Sequence, residues 1–272
     1  MANIPGTAGD DVLSGTIDID TIDGLAGNDV IAGLDGADGL TGGPGNNIIV
    51  GGRGDDTMVG GDDNDIFIWN NGDGNDLGDG SLGSDVQIVN GAAAAGDQFR
   101  VDPDASGALA VFQRVNLGPF SVTTNNVETF DVRGLAGDDS FVIADLRTTD
   151  VTQVVFRGGF GADVVDASRS RTSVVIFGEA DNDILVSGLG NDWVDGGTGA
   201  DRLIYAGGVD TFLIELADTV QVPGRTSARA FFGEGSLILD FGGGNILNLQ
   251  WQPGAFTGQQ YYQTYLSTLP LV

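Results

Sequence analysis

The chain has 272 residues and a net charge of −28, from 39 acidic side chains against 11 basic ones, and it contains 46 glycines. It has no His, no Cys and no Lys. That excludes an H-E-x-x-H zinc site, a Ser-His-Asp triad, a thiol nucleophile, a disulfide and a Schiff-base lysine. So acidic a chain does not attract nucleic acid or an anionic membrane surface, and no apolar run approaches the ~18 residues of a transmembrane segment.

From Gly6 to Ile68 the sequence falls into seven nonapeptides in one frame: GTAGDDVLS, GTIDIDTID, GLAGNDVIA, GLDGADGLT, GGPGNNIIV, GGRGDDTMV and GGDDNDIFI. Gly opens each unit. The sixth place is Asp except at Asn47, and the eighth is always apolar (Leu13, Ile22, Ile31, Leu40, Ile49, Met58, Phe67). This is the pattern G-G-x-G-x-D-x-U-x of a calcium-binding parallel β-helix. Places one to six predict a turn, where glycine supplies positive φ and close packing. Places seven to nine predict a short strand whose middle side chain points into a narrow core. Two nonapeptides make one coil, so the turns alternate between two edges. One edge carries Asp11, Asp29, Asn47 and Asp65; the other carries Asp20, Asp38 and Asp56. Carboxylates and backbone carbonyls are hard oxygen ligands, and they suit Ca²⁺ with its six to eight flexible coordination positions.

Trp69 and Asn70 break the frame, which resumes as NGDGNDLGD and GSLGSDVQI with Asp76 and Asp85 in the sixth place. Gly78 and Gln87 occupy the eighth places there, so these units are expected to pack poorly and to close a first roll over residues 1–89. Between 90 and 133 glycine thins out. β-rich runs at Gln98–Val101, Ala108–Val115, Phe120–Thr123 and Val127–Val132 predict an antiparallel spacer or hairpin insertion, with Phe99, Val101 and Phe112 on its buried face. Nonapeptides return over 134–213. GLAGDDSFV and GGFGADVVD carry Asp139 and Asp163, each followed by an interruption. Four contiguous units then place Asp183, Asp192, Asp201 and Asp210. The pairs Asp183/Asp201 and Asp192/Asp210 are each expected to share a gap. The interrupted coils are expected to have one calcium-type edge and one ordinary edge. Residues 214–272 hold strand-like runs at Ser227–Phe232, Ser236–Phe241 and Ile246–Trp251, then the charge-free end QQYYQTYLSTLPLV, and read as a β-strand cap.

These repeats resemble the RTX family, the haemolysin-type calcium-binding repeat proteins of Gram-negative bacteria. LILDFGGGNILNL (Leu237–Leu249) is similar to the C-terminal strand pair of many members. The resemblance implies an all-β fold: a calcium-bound parallel β-roll in two blocks with a β-rich spacer and a β-strand C-terminal cap. It implies about ten Ca²⁺ ions held by the sixth-place residues. Asn47, and Asp18 and Asp63 in the fourth place, depart from the pattern, and weaker or missing metal is expected beside Asn47. It also implies type I secretion with an uncleaved C-terminal signal. The opening MANIPGTAGDD shows no basic segment followed by an apolar run, which fits export without a cleaved N-terminal signal. The expected location is therefore extracellular or cell-surface.

The absent residue types exclude enzyme chemistry in part and leave a carboxylate-only glycosidase open. Aspartates at repeat positions read better as ligands, so the chain is expected to be no enzyme. The favoured reading is a secreted structural protein that folds on calcium and self-assembles into a surface layer, matrix or filament. The alternative is an accessory or adhesion module that binds polysaccharide or assists a carbohydrate-active enzyme.

Overall fold

A computed structural model describes residues 1–215, 217–225, 228–233 and 236–251. Of the last ~60 residues, where the secretion signal is expected, Gln252–Val272 lie outside the described residues. The described residues contain strands and turns and no helix, so none of them forms a helix able to cross a membrane. The chain divides into two compact units. The first comprises Met1–Ala92, Asp97–Arg133 and Leu146–Val154; the second comprises Ala93–Gly96, Gly134–Asp145 and Val155–Val272.

In the first unit the nonapeptides give β1 (Asn3–Pro5), β2 (Val12–Ser14), β3 (Thr21–Asp23), β4 (Val30–Asp35), β5 (Gly39–Thr41), β6 (Ile48–Arg53), β7 (Thr57–Gly61), β8 (Ile66–Asn70), β9 (Asp76–Ser81) and β10 (Val86–Asn90). Odd strands form one parallel sheet and even strands the other. The register is one coil of 18 residues: Ile22 faces Leu40 and Ile31 faces Ile49. A strand of three residues cannot hold itself together, so the eighth-place side chains do it collectively. Ile22, Ile31, Leu40, Ile49, Met58 and Phe67 form one buried file, joined by Val127, with Ile4 and Leu13 packed against its end. Turns stack backbone on backbone. Gly54 has φ +140°, and a Cβ there would run into the Gly36 carbonyl, so only glycine fits.

The spacer does not hang off the roll; it continues it. β11 (Gln98–Pro103), β12 (Ala110–Arg114) and β13 (Phe120–Asn125) are antiparallel as expected. β13 then pairs in parallel with β9, so the three occupy the sheet position that further repeats would fill. The last run, β14 (Thr129–Ala136), is instead parallel to β10. The units around Asp76 and Asp85 therefore do not close the first roll. Their poor core positions are made good by the spacer: Gly78 stands beside Thr124 and Phe67, and Phe99, Val101, Phe112, Phe120 and Phe130 are buried. Arg114, also buried, anchors this region. Its guanidinium lies 5.6 Å from the Trp69 ring and 5.1 Å from Phe120. It also donates to Asn71, Asp97 and the carbonyls of Leu117 and Gly118.

In the second unit β15 (Ser140–Ile143), β17 (Val164–Asp166), β19 (Ile184–Val186), β21 (Arg202–Ile204) and β23 (Thr219–Gln221) form one sheet. β16 (Gln153–Phe160), β18 (Ser173–Ala180), β20 (Trp193–Asp195), β22 (Val209–Leu213), β26 (Asn245–Gln250), β25 (Ser236–Gly242) and β24 (Arg229–Gly233) form the other in that spatial order. The eighth-place Phe141, Val165, Leu185, Val194, Leu203 and Phe212 are all fully buried. β26 continues the parallel stack on β22, and β25 and β24 then add antiparallel strands, as a cap would.

Phe67→Ala is expected to cost about 3–5 kcal/mol in a denaturant melt run in calcium. Val12→Ala, at a side chain 83% exposed, is expected to change stability by at most ~0.5 kcal/mol. Equal effects would show that the eighth-place file is not the core.

Candidate metal centre

The sixth-place side chains form continuous hydrogen-bond ladders along the turn edges. On one edge of the first unit the backbone N–H of Asp11 donates to Asp29 Oδ1 (2.8 Å), Asp29 to Asn47 (3.0 Å), Asn47 to Asp65 (2.7 Å) and Asp65 to Asp85 (2.7 Å). On the other, Asp20 donates to Asp38 (2.7 Å), Asp38 to Asp56 (2.7 Å) and Asp56 to Asp76 (3.0 Å). In the second unit the sequence Asp139, Asp163, Asp183, Asp201 repeats the arrangement at 2.8–2.9 Å. Asp192 likewise donates to Asp210 at 3.2 Å. Each interior residue thus stacks directly on its neighbour one turn away, and the expected pairs Asp183/Asp201 and Asp192/Asp210 are both brought together.

One carboxylate oxygen is used up in this way. For nine of the residues the other oxygen is buried and has no hydrogen-bond partner: Asp29, Asp38, Asp56, Asp65, Asp76, Asp85, Asp163, Asp183 and Asp201. An orphaned buried carboxylate oxygen is costly unless a cation meets it. Beside it lie backbone carbonyls. A Cβ on Gly33 would collide with both Asp38 Oδ2 and the Gly51 carbonyl oxygen one turn further on. Asn47 reveals more of the cage, because its Nδ2 takes the place of the free oxygen. It donates to the carbonyls of Gly43 and Gly45 at 3.0 Å each. Second- and fourth-place carbonyls therefore point at the sixth-place head group. This all-oxygen donor set, one carboxylate with several carbonyls, fits Ca²⁺. Among the described residues no three acidic side chains converge as a carboxylate cluster, so carbonyls must supply most of the ligation. The residues that would hold each ion are the sixth-place Asp, the carbonyls of its own turn and the first-place carbonyl of the next.

Five other positions are closed by the protein. Asp11 Oδ2 accepts from Thr7 N–H and Oγ1 (2.6 and 2.9 Å), and Asp20 Oδ2 from Thr16 N–H and Oγ1 (2.6 and 2.8 Å). Asp192 accepts from Gly188 N–H and Asp210 from the Ser187 hydroxyl, both at 2.7 Å. Asn47 closes its own turn. The backbone explains three of the five. Second-place Leu25, Leu34, Gly52, Gly61, Gly72, Ser81, Leu135, Gly159, Glu179 and Gly197 have positive φ, whereas Thr7, Thr16 and Gly188 do not. In the latter three the second-place N–H faces the carboxylate and occupies it. Threonine, branched at Cβ, resists the left-handed region. The sequence carried these signals as Thr at the second place, Asn at the sixth and Ser187 or Tyr205 at the first.

Two sets of residues were missed by reading the sixth place alone. Fifth-place side chains form a counter-ladder in which Asp10 accepts from the Asn28 N–H, Asn28 from Asn46, and Asn46 from Asn64, at 2.8–3.0 Å. The recurrent Asp or Asn at that place was the visible signal. Glu128 and Asp218 extend the sixth-place ladders, accepting from Asp85 (2.7 Å) and Asp201 (3.1 Å). Neither lies in a nonapeptide, so no spacing could reveal them.

Burial pushes the ladder carboxyls up from their ordinary value against the pull of the backbone N–H bonds: Asp56, Asp65, Asp85 and Asp163 to about 6, Asp76 to about 7 and Asp183 to about 8. At the edge of the roll Asp20 goes the other way, lowered chiefly by the Ala2 N–H.

Together the stacked parallel turns, the eighth-place core and the carbonyl-lined aspartate ladders define a calcium-type β-roll. The family model for the RTX calcium-binding nonapeptide repeat, in four copies, matches residues 5–40, 41–68 and 175–212. These stretches of the chain carry RTX nonapeptide repeats, and calcium is the ion such repeats bind. A comparison with curated proteins returned no match.

Two outcomes follow. Asn47→Asp exchanges an amide donor for a carboxylate facing the carbonyls of Gly43 and Gly45, so the variant is expected to bind one more calcium by equilibrium dialysis. An unchanged count would show that the cage is not a cation site. Raised carboxyl pKa values favour the protonated form in the folded state. In chelator, folding is therefore favoured below about pH 4 and loses support as pH rises through 6–8. Circular dichroism in chelator is expected to show more β structure at pH 5 than at pH 8.5; the reverse order would contradict it.

Proposed function

We propose that this chain is a calcium-folded structural protein of the cell exterior, that its sites take about ten Ca²⁺, and that calcium drives it to associate with further copies. The observation that carries the reading is the set of nine buried carboxylate oxygens without a partner. With those groups ionised and 28 net negative charges on the chain, the metal-free coil opposes its own folding. About ten divalent ions would offset roughly 20 of these charges. Outside the cell calcium reaches millimolar concentration and inside it does not, so ion binding ties folding to export. RTX-repeat proteins are typically extracellular. Passage through a type I secretion machinery, with the address in the last ~60 residues, belongs to the same reading.

Association has its own support. Among the described residues β1 and β2 each have a neighbour on one side only, and an unpaired strand edge is a template for another chain. Val12 and Ile17 near that edge are 83% and 78% exposed. A contact of one such edge with a different surface of a second copy is heterologous, and it builds open filaments or sheets unless it closes into a ring. The lack of His, Cys and Lys supports a non-enzymatic role.

Full-length protein moved from excess chelator to millimolar calcium is expected to gain a β signal by circular dichroism, and then to scatter light and show filaments or sheets by electron microscopy. The same β signal in both buffers would overturn the calcium reading. A strict monomer at high concentration in calcium would overturn assembly, and glycan binding by that monomer would favour the accessory-module alternative.

A further inference from the structure

The last nonapeptide before the spacer, Gly80–Ile88, is not met by another nonapeptide in the next layer, yet its ladder does not stop. Asp85 is 1% exposed, and its Oδ2 is buried without a partner. The next layer of chain on this edge is the segment Asn125–Glu128, which carries no nonapeptide. It is clamped to Asp85 from both sides. Glu128 Oε2 accepts the Asp85 N–H at 2.7 Å, and the N–H groups of Glu128 and Thr129 donate to the Asp85 carbonyl at 3.2 and 3.1 Å. A Cβ on Gly80 would collide with the Asn126 carbonyl oxygen and with Asp85 Oδ2. At Gly33 the same two positions are filled by the first-place carbonyl of Gly51 and by Asp38 Oδ2. Asn126 therefore does the work of a first-place glycine. Its φ of +51° is left-handed, and two bonds hold it there: its N–H donates to Asp150 Oδ2 (3.2 Å) and its Nδ2 to Asp79 Oδ1 (2.9 Å). Val127 reaches the eighth-place core file. In three residues this segment supplies a carbonyl, a core side chain and a ladder carboxylate.

We propose that Asp85 and the Asn126 carbonyl form a divalent-cation site closed jointly by the repeat and the spacer, with Glu128 as the positioning residue that fixes Asp85. The inference rests on the calcium reading of the repeats and adds that the spacer is itself ordered by an ion. An aspartate-to-asparagine change is a mild probe, because Asn47 already shows how an amide is accommodated in such a turn.

The test uses full-length protein with calcium as the ligand. Equilibrium dialysis gives the ion count, and hydrogen exchange read by mass spectrometry gives protection of a peptide covering residues 120–130. Asp85→Asn is expected to lose one ion and the calcium-dependent protection of that peptide. Asp56→Asn, at a site made of repeats alone, is expected to lose one ion and keep that protection. Glu128→Ala is expected to weaken one ion by roughly 10–100-fold, as loss of a residue supporting a metal ligand does. Glu128→Gln, which still offers an oxygen to the Asp85 N–H, is expected to restore most of it. If Asp56→Asn loses an ion while Asp85→Asn and Glu128→Ala match the parent in count, affinity and protection, the shared site is overturned and the repeat sites stand. If none of the variants loses an ion, the calcium reading itself fails. Should circular dichroism show Asp85→Asn unfolded, the Glu128 pair decides: an Ala variant equal to the parent overturns the proposal.

Discussion

Everything in the roll depends on a division of labour within one carboxylate. Oδ1 of each interior sixth-place aspartate accepts a backbone N–H from the turn before it. That bond fixes the register of one coil on the next at the point where the chain reverses. In nine of these residues it also places Oδ2 where no protein donor reaches it. The group that stacks the coils thus creates the charge that drives them apart. A cation resolves the conflict because it needs no hydrogen and draws in carbonyl oxygens that otherwise repel the carboxylate. The core is too narrow to carry the fold alone, with one large inward side chain per strand in the repeats.

Backbone hand separates the turns of Thr7, Thr16 and Gly188 from the turns that keep this conflict. Leu25, Leu34, Leu135 and Glu179 hold positive φ at the second place, a conformation costing about 1–2 kcal/mol per non-glycine residue. That strain turns the second-place N–H away from the carboxylate. Thr7 and Thr16 avoid the strain, and their donors occupy Oδ2. The described residues therefore contain turns of two chemistries: nine with a buried carboxylate oxygen that no donor meets and five already satisfied. Strain concentrated at ligand-facing turns is where strain is usually found in proteins.

The spacer shows how non-repeat chain is made to fit a repeat lattice. Arg114, packed against Trp69 and Phe120 and bonded to Asn71 and Asp97, ties the antiparallel strands to the last turn of the frame. The stacked rings of Trp69 and Phe120, 3.5 Å apart, replace the aliphatic file that ends at Phe67. β13 then meets β9 with the parallel register a further coil would have used.

The sequence alone determined the repeat geometry. A period of nine with a fixed apolar place and a fixed acidic place leaves only one face for the core and one edge for the ligands, so strands, coil length and the sixth-place ligand candidates were legible. Departures within the repeats were legible too, since Thr16, Asn47 and Ser187 each stand where the pattern asks for something else. What the tertiary structure decided lies wherever contacts join residues without a period. Glu128 meets Asp85 from 43 residues away, and Asn126 offers a carbonyl, which every residue has and no sequence pattern marks. The expected end of the first roll near Ile88 failed for the same reason. Whether a coil closes or continues depends on which distant strand covers it, and that is settled by packing between β10 and β14 and not by any local preference of Gly78 or Gln87.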